Sequence, residues 1–171
     1  MTNAVALDFL RQHQPMPDDD SLEKNPQLMK DFEEVRRYFL DYPDPRCVKL
    51  FLNAFGGWNG FGMYQTVEQV FYKMNEQFVI DELQKNLRNV SRLKDCTLYW
   101  NIQQCIVFPD RALFDPLTQF IKHPLPEIRH ALVYALSQIE GDDVTKHLKE
   151  WLAIEDDDGV TEALEEVINE L

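Results

Sequence analysis

The chain has 171 residues, with 30 Asp and Glu against 17 Lys and Arg, a net charge of −13, and 44% hydrophobic residues. A chain of this length has enough apolar material to fold without disulfides or a structural metal. Its charge disfavours binding to nucleic acids and to anionic membranes, because both interactions depend on Lys and Arg.

Helical patterns account for nearly the whole chain, and no stretch of four or more residues alternates as a half-buried strand does. Asn25-Pro26 starts a helix that reaches about Tyr42, and Asp44-Pro45 starts another that ends at Gly56-Gly57. Further helices are predicted over residues 64–74, 77–89, 94–107, 111–122, 126–139, 142–153 and 160–171. Short connections between these helices indicate antiparallel pairs.

Membrane insertion and secretion are both disfavoured by the apolar pattern. The longest apolar run, Ala131 to Leu136, has six residues, whereas a membrane-spanning helix needs about 20. The segment Ala4 to Leu7 follows no basic residue and is interrupted by Asp8, unlike a secretion signal. We therefore expect a cytoplasmic protein. The three cysteines, Cys47, Cys96 and Cys105, form no Cys-x-x-Cys pair, and we expect them to be buried and reduced.

The last two predicted helix pairs repeat the same apolar pattern. Six apolar positions match at an offset of 32 residues: Ile128, Ala131, Leu132, Ala135, Leu136 and Ile139 with Val160, Ala163, Leu164, Val167, Ile168 and Leu171. An offset of 30 relates the segment around Leu98 and Ile102 to Ile128 and Leu132, with Asn101 in place of the small Ala131. Units of this length must stack to bury their apolar stripes, so the pattern predicts an all-α fold, a short α-solenoid.

One of these units resembles a known repeat family. The segment His123-Pro124-Leu125-Pro126-Glu127-Ile128-Arg129 followed by Ala131-Leu132 looks like a HEAT repeat, whose second helix typically opens with Asp-Pro-x-Pro-x-Val-Arg. The resemblance is good over residues 108–171, loose over 77–107 and poor before that. It implies a single HEAT-like domain over residues 1–171, with an acidic terminal repeat at 141–171. Since His123 replaces Asp and Thr161 replaces Arg, we expect an incomplete Asp–Arg ladder between repeats.

The sequence carries no recognisable catalytic or metal-binding motif. None of His13, His123, His130 and His147 precedes a Glu, so the His-Glu ligands of HEAT-like iron hydroxylases are missing, and no two histidines lie four residues apart. HEAT-like DNA glycosylases need a basic groove, which this charge does not supply. The prediction is no catalytic residue, metal or cofactor, although residues that meet only in space leave a cryptic hydrolase or lyase site open.

The segment Phe55-Gly56-Gly57-Trp58-Asn59-Gly60-Phe61-Gly62-Met63-Tyr64 is unusually rich in glycine and aromatics. It lacks the strand and the Lys-Ser/Thr ending of a phosphate loop. Two interpretations remain. Trp58 and Phe61 either fold back on the helix ends or stay exposed and anchor a partner. The first is favoured, because large exposed apolar patches are uncommon on monomers.

The repeat alignment also predicts a binding strip. Equivalent positions on successive second helices line up along one surface, and here they are Trp100, Gln104, His130, Tyr134, Glu162 and Glu166. We expect these six residues, the predicted strip, to grade from aromatic to acidic and to bind a partner. The alternative is that they are ordinary solvent-facing positions, with Trp100 packed between repeats.

Negative charge is concentrated at the end of the chain. Residues 1–140 carry 19 acidic and 15 basic residues, net −4, whereas residues 141–171 carry 11 and 2, net −9. One of Asp156, Asp157 and Asp158 is predicted to cap the last helix, and acids near its start favour the positive helix end. The remaining carboxylates either keep the protein soluble or attract a basic protein.

These observations favour a non-catalytic protein-binding module with a basic protein partner. Its size, charge and fold resemble HEAT-like immunity proteins of bacterial toxin systems, which implies occlusion of the active or substrate-binding site of a toxin, often a basic nuclease. The main alternative is a HEAT-like adaptor or assembly scaffold.

Overall fold

The computed structural model describes residues 1–89 and 93–171, and every regular element within them is helical. Among these described residues, three short 3₁₀ turns lie between the α-helices: Gly60–Gly62, Gln65–Val67 and Arg111–Leu113. The α-helices of the described residues are α1 (Asn3–Gln12), α2 (Asp19–Glu23), α3 (Pro26–Asp41), α4 (Arg46–Ala54), α5 (Glu68–Phe71), α6 (Glu76–Arg88), α7 (Asp95–Val107), α8 (Phe114–Thr118), α9 (Pro126–Ser137), α10 (Asp142–Leu152) and α11 (Asp158–Glu170).

Four helices form one layer of the fold: α4 packs on α7, α7 on α9, and α9 on α11. The helices that precede them in each pair, α6, α8 and α10, pack against this layer. The stacking of successive pairs confirms the predicted all-α solenoid. Because adjacent pairs meet through equivalent helices, equivalent side chains on α9 and α11 come to lie next to each other.

The apolar repeat explains why α9 and α11 pack together. Pro126 occupies the first turn of α9, where a missing N–H has no cost. All six of the predicted apolar positions on the α9 side are buried, and the first four on the α11 side are buried too. Only the last two differ, since Ile168 is half-buried and Leu171, beyond the end of α11, is exposed.

Two predicted helices are much shorter than expected. Over residues 111–122, a 3₁₀ turn is followed by the five-residue α8. Pro116 has no N–H to donate to the carbonyl of Ala112, so a regular helix cannot form there. That carbonyl accepts a hydrogen bond from Gln84 Nε2 at 2.8 Å instead. Over residues 64–74, only a 3₁₀ turn and the four-residue α5 form. There the Thr66 hydroxyl donates to the carbonyl of Met63 at 2.7 Å, a local bond that competes with helix formation.

The two N-terminal helices have no counterpart in the sequence prediction. Thr2 caps α1 by accepting from the Val5 N–H, and Asp18 caps α2 by accepting from the Ser21 N–H. Helix α1 packs its buried side chains, Ala6, Leu7 and Leu10, against α3 and α4. These helices therefore extend the solenoid at the end opposite the acidic repeat.

The buried apolar residues form one hydrophobic cluster that runs from Ala6 to Val167. All three cysteines are buried and free, as predicted. Asn101, in the position of the small Ala131, is also buried, and its amide donates to the carbonyls of Leu52 and Thr97 at 2.8 Å each. This polar residue therefore ties α7 to α4. The assignment of residues 1–171 to one domain stays a prediction.

A buried ion pair joins the last two helix pairs. Arg129 donates to the Glu155 carboxylate at 2.7 Å and to the carbonyl of His123 at 2.7 Å. Glu155 lies 32 residues after His123, in the position where the next repeat would have its Asp. The rung at this junction is therefore present, with Glu155 in the place of the family's Asp shortly before α11. The gaps expected at His123 and Thr161 stay a prediction.

No helix in residues 1–89 and 93–171 is long and apolar enough to cross a membrane.

Candidate functional site

The glycine-rich segment is fixed to α7 through three consecutive backbone carbonyls. Each carbonyl accepts a hydrogen bond from a side chain in the first two turns of the helix. The pairs are Phe55 with Thr97 at 2.6 Å, Gly56 with Cys96 at 3.1 Å, and Gly57 with Trp100 at 2.9 Å. These bonds hold the segment in one position against the helix layer.

The other side of this segment is held by Asp19 at the start of α2. Its carboxylate accepts from the backbone N–H of Asn59 at 3.0 Å and of Gly60 at 2.8 Å. Gly56 lies so close to the N-terminal chain that a Cβ there would stand 1.7 Å from the carbonyl oxygen of Met16. Glycine is therefore required at position 56 for this close packing.

Trp58 and Phe61 are exposed, with 42% and 46% of their surface accessible. The favoured interpretation, in which both fold back on the helix ends, was wrong. Tyr64 takes that place instead: its ring packs edge-on against Phe32 and Phe55, and its hydroxyl accepts from the Gly56 N–H at 3.1 Å. With Phe55 and Tyr64 buried, the fixed segment presents the rings of Trp58 and Phe61 to solvent.

Trp100 and Gln104 do not reach the surface, being 5% and 2% exposed. Their inclusion in the predicted strip was therefore wrong. The glycine-rich segment covers Trp100, whose indole donates to the carbonyl of Gly57. The Trp100 ring packs against Phe55 and Tyr64 at centroid distances of 6.0 and 5.6 Å. The alternative reading for Trp100, packing inside the fold, is the observed one.

The other four residues of the predicted strip form a surface on α9 and α11, which we call the α9–α11 strip: His130, Tyr134, Glu162 and Glu166. His130 and Tyr134 stack edge to face at 5.2 Å, and the Tyr134 hydroxyl donates to Glu166 at 3.1 Å. Together with Gly159 and Ala163 they line a shallow pocket of about 370 Å³.

The electrostatics of the α9–α11 strip show in the phenol of Tyr134. Partial burial raises the pKa of Tyr134 above its usual range, and the hydrogen bond to Glu166 and the charges of Glu166, Glu162 and Glu170 raise it further. Negative charges oppose the loss of the phenol proton, so the contribution of these three glutamates, although smaller than that of burial, reflects the acidic character of the strip.

A second pocket, of about 410 Å³, continues from the strip toward the glycine-rich segment. We call it the aromatic pocket. The Trp58 and Tyr99 rings lie 5.5 Å apart in it, and His130 is shared with the α9–α11 strip. Its lining residues are Trp58, Tyr99, Pro126, Glu127, His130, Asp157, Gly159 and Val160. The two pockets thus form one continuous surface that is aromatic at one end and acidic at the other.

In the acidic cluster at residues 156–158, one carboxylate caps a helix and the other two residues are exposed. Asp157 caps α11, as predicted for one of the three, and accepts from the Val160 N–H at 3.1 Å. Asp156 is exposed and lies 3.4 Å from Arg129, and Asp158 is exposed in the first turn of α11. Of these three residues, only Asp157 lines the aromatic pocket.

Tyr99 and Glu127 are among the pocket residues that were not predicted as site residues, and they supply a ring and a carboxylate. Tyr99 is next to Trp100 in the sequence, and the repeat offset selects Trp100 because it takes no account of the segment that buries that ring. Glu127 belongs to the HEAT-like motif and lies in the first turn of α9, where an acid is favoured by the helix dipole. Because the helix dipole already explains an acid at this position, no feature of the sequence assigns Glu127 to a binding pocket.

Chemically reactive groups are not gathered in this surface. In the described part of the chain, no three His, Cys, Asp or Glu side chains are arranged to hold a metal ion. Burial raises the pKa of the Cys47 thiol to about 12, and burial also raises the pKa of Cys96 and Cys105. Thiols held in the protonated form are poor nucleophiles. The surface can bind through charge, stacking and hydrogen bonds.

Comparison with protein families finds a match to HEAT repeats over residues 98–169. The matched residues run from α7 through α11 and include the whole α9–α11 strip. Neither the curated proteins nor the solved structures contain a significant match to the chain. The match supports the HEAT-like repeat family and, with it, a role in protein interaction or scaffolding.

Proposed function

We propose that this protein is a non-catalytic HEAT-like adaptor that binds a basic segment of a protein partner on the α9–α11 strip and the aromatic pocket. The observation that supports this most is the continuity of the two pockets. Aromatic side chains and carboxylates from four separate parts of the chain line one surface. Such a combination of aromatic anchors and charged groups is typical of interfaces.

The charge distribution favours a basic partner. Residues 141–171 have a net charge of −9, and Glu162, Glu166, Asp156 and Asp158 are exposed. Opposite charges on two proteins accelerate their encounter and disfavour acidic competitors. Because exposed charges are screened within about 8 Å at physiological ionic strength, the interaction should weaken as salt rises.

A narrower version of this proposal is an immunity protein. In it, the same acidic surface covers the basic substrate groove or active site of a toxin and so neutralises it. The concentration of charge at one end of the solenoid supports this version, since a charged end could enter a basic groove. The HEAT-repeat match supports the adaptor version more directly. We place both in the cytoplasm.

The experiment that tests the proposal is affinity capture from the native host, with the tagged protein as bait, at low and high salt. We expect a basic protein in one-to-one complex, with less complex as the salt concentration rises. Equal capture of the partner at about 50 mM and about 500 mM salt would contradict the electrostatic basis of the proposal.

The two versions differ in what the captured partner does. An immunity protein should abolish an activity or toxicity of its partner at one-to-one ratio, and its gene should lie beside the gene for a toxin. An adaptor should leave the partner's activity intact while bound. Assaying the purified partner with and without the protein decides between them.

A further inference from the structure

The aromatic pocket differs from an ordinary surface depression because its main wall is rigid. The backbone on both sides of Trp58 is fixed, with the carbonyl of Gly57 bonded to Trp100 and the N–H of Asn59 bonded to Asp19. The ring is therefore held beside Tyr99 before any partner arrives. Preorganised side chains bind more tightly because less conformational freedom is lost on association.

Two carboxylates line the pocket with the two rings, those of Glu127 and Asp157. Within the described residues neither carboxylate forms a direct ion pair. The Asp157 carboxylate accepts from the backbone N–H of Val160, and its charge also acts on Arg129, whose pKa it helps to raise. The pocket thus combines aromatic faces with two carboxylates that make no direct contact with a cationic side chain of the described chain.

A guanidinium group matches this lining better than an apolar side chain does. Its planar cation stacks on aromatic faces and donates to carboxylates in the same plane, whereas an ammonium ion is a more strongly hydrated point charge. An apolar side chain would cover the rings but would bring the two carboxylates out of water without a partner.

We propose that the aromatic pocket binds a single arginine side chain of the partner, stacked on Trp58 and Tyr99 and paired with Glu127 and Asp157. The rest of the partner's basic segment then lies along the α9–α11 strip, which begins at His130. This inference rests on the proposed function and specifies the residue that the binding surface recognises.

Short capped peptides test the pocket directly. The probe is Gly-Gly-Arg-Gly-Gly, compared with the same peptide carrying citrulline, which has the shape of arginine without its charge, or leucine. Binding is followed by NMR through the indole N–H signals of the three tryptophans. The Trp58 signal should shift saturably with the arginine peptide, with a dissociation constant on the order of millimolar. The signals of Trp100 and Trp151, whose indoles donate inside the fold, should not move.

The comparison peptides and variants establish the chemistry of recognition. Citrulline should weaken binding about tenfold, and so should the double variant E127Q/D157N. Asn still caps α11 at position 157, so that variant keeps its fold. Trp58→Ala, which lacks the reporting indole and is followed instead through the backbone N–H signals of Glu127 and Gly159, should abolish binding. Phe61→Asn, which changes an exposed aromatic outside the pocket, should leave binding unchanged.

Three results would overturn the inference: no saturable shift of Trp58, binding of citrulline equal to that of arginine, or a leucine peptide that binds as tightly. These outcomes are separate from the proposed function. If partner capture depends on salt and on the α9–α11 strip while the peptides fail, only the arginine pocket is wrong. If the peptides bind but partner capture is unaffected by substitutions in the α9–α11 strip, the proposed function is wrong instead.

Discussion

Glu155 forms hydrogen bonds to several separate parts of the last two helix pairs. Its carboxylate side chain is 2% exposed and accepts from Arg129, from the Trp151 indole, and from the backbone N–H groups of Asp156 and Asp157. It therefore connects α9, α10 and the approach to α11. Breaking a buried pair by removing one partner leaves a buried charge without compensation.

Glu155→Ala should reduce the free energy of unfolding by about 3 kcal/mol, because Arg129 is left buried without its carboxylate. Urea denaturation measures this change. The matched control is Lys146→Ala, which removes one partner of the exposed Lys146–Glu150 pair at 3.7 Å and should change stability by less than about 0.5 kcal/mol. Equal effects of the two substitutions would show that the buried pair contributes nothing particular.

The same carboxylate should make stability depend on pH. Burial raises the pKa of Glu155, but the hydrogen bonds that its carboxylate accepts together lower the pKa by more than burial raises it. The pKa of Glu155 in the folded protein therefore lies below its usual value. A group with a lowered pKa contributes stability above its unfolded pKa, about 4.3, and loses it as the pH falls through the folded pKa. Stability measured between about pH 6 and pH 3 should therefore fall less steeply for Glu155→Gln than for the natural protein. Parallel curves would contradict this account.

Phe61 has a left-handed backbone conformation, with φ at 50°, between two glycines of positive φ. This conformation costs a residue with a side chain roughly 1–2 kcal/mol, and Asn tolerates it better. Phe61→Asn should raise the free energy of unfolding by about 1 kcal/mol, measured by urea denaturation. A loss of stability would mean that the half-exposed ring contributes more through packing than its backbone conformation costs.

At the scale of elements, the glycine-rich segment and the start of α11 use glycine for different reasons. Gly56 is enclosed by the backbone of Met16, whereas Gly159 lies in the first turn of α11 with only the Asp157 side chain near, at 3.4 Å from a Cβ. The first position requires glycine for space, and the second does not.

We therefore expect opposite results from two alanine substitutions. Gly56→Ala should destabilise the protein by about 3 kcal/mol or more, because backbone must move to admit the Cβ. Gly159→Ala should stabilise it by about 0.5 kcal/mol, because alanine favours the helix and restricts the unfolded chain. Thermal unfolding of the two variants checks this contrast, and a stable Gly56→Ala protein would show that the segment is not packed against Met16 as described.

The sequence predicted α9 and α11 well because six apolar residues repeat there at one offset. The prediction of a full helix was wrong over residues 64–74 and 111–122. There the Thr66 hydroxyl and the missing N–H of Pro116 change the hydrogen bonds of the backbone, and the spacing of apolar residues contains no sign of this. The site shows the same division. His130, Tyr134, Glu162 and Glu166 follow from the repeat, whereas the burial of Trp100 depends on bonds to a segment 43 residues earlier. Such long-range bonds leave no periodic signal in the sequence.

For the whole molecule, the distribution of charge matters more than its total. Helices α4, α7, α9 and α11 form a continuous layer, and the excess negative charge lies at the α11 end, next to a pocket with exposed aromatics. The opposite end, built by α1 to α3, carries no such concentration. The fold therefore gives the protein one distinctive surface, to which the proposed partner binding is assigned.

The affinity of the captured partner for charge variants tests this account most directly. In E162Q/E166Q, two carboxylates of the α9–α11 strip are neutralised, and we expect the dissociation constant to rise at least tenfold at low salt, mainly through slower association. The control, E140Q/E150Q, makes the same change in net charge at two exposed residues outside both pockets and should shift the constant less than about twofold. Equal affinities of the two variants would show that the partner senses only net charge, and the α9–α11 strip would not be its binding site.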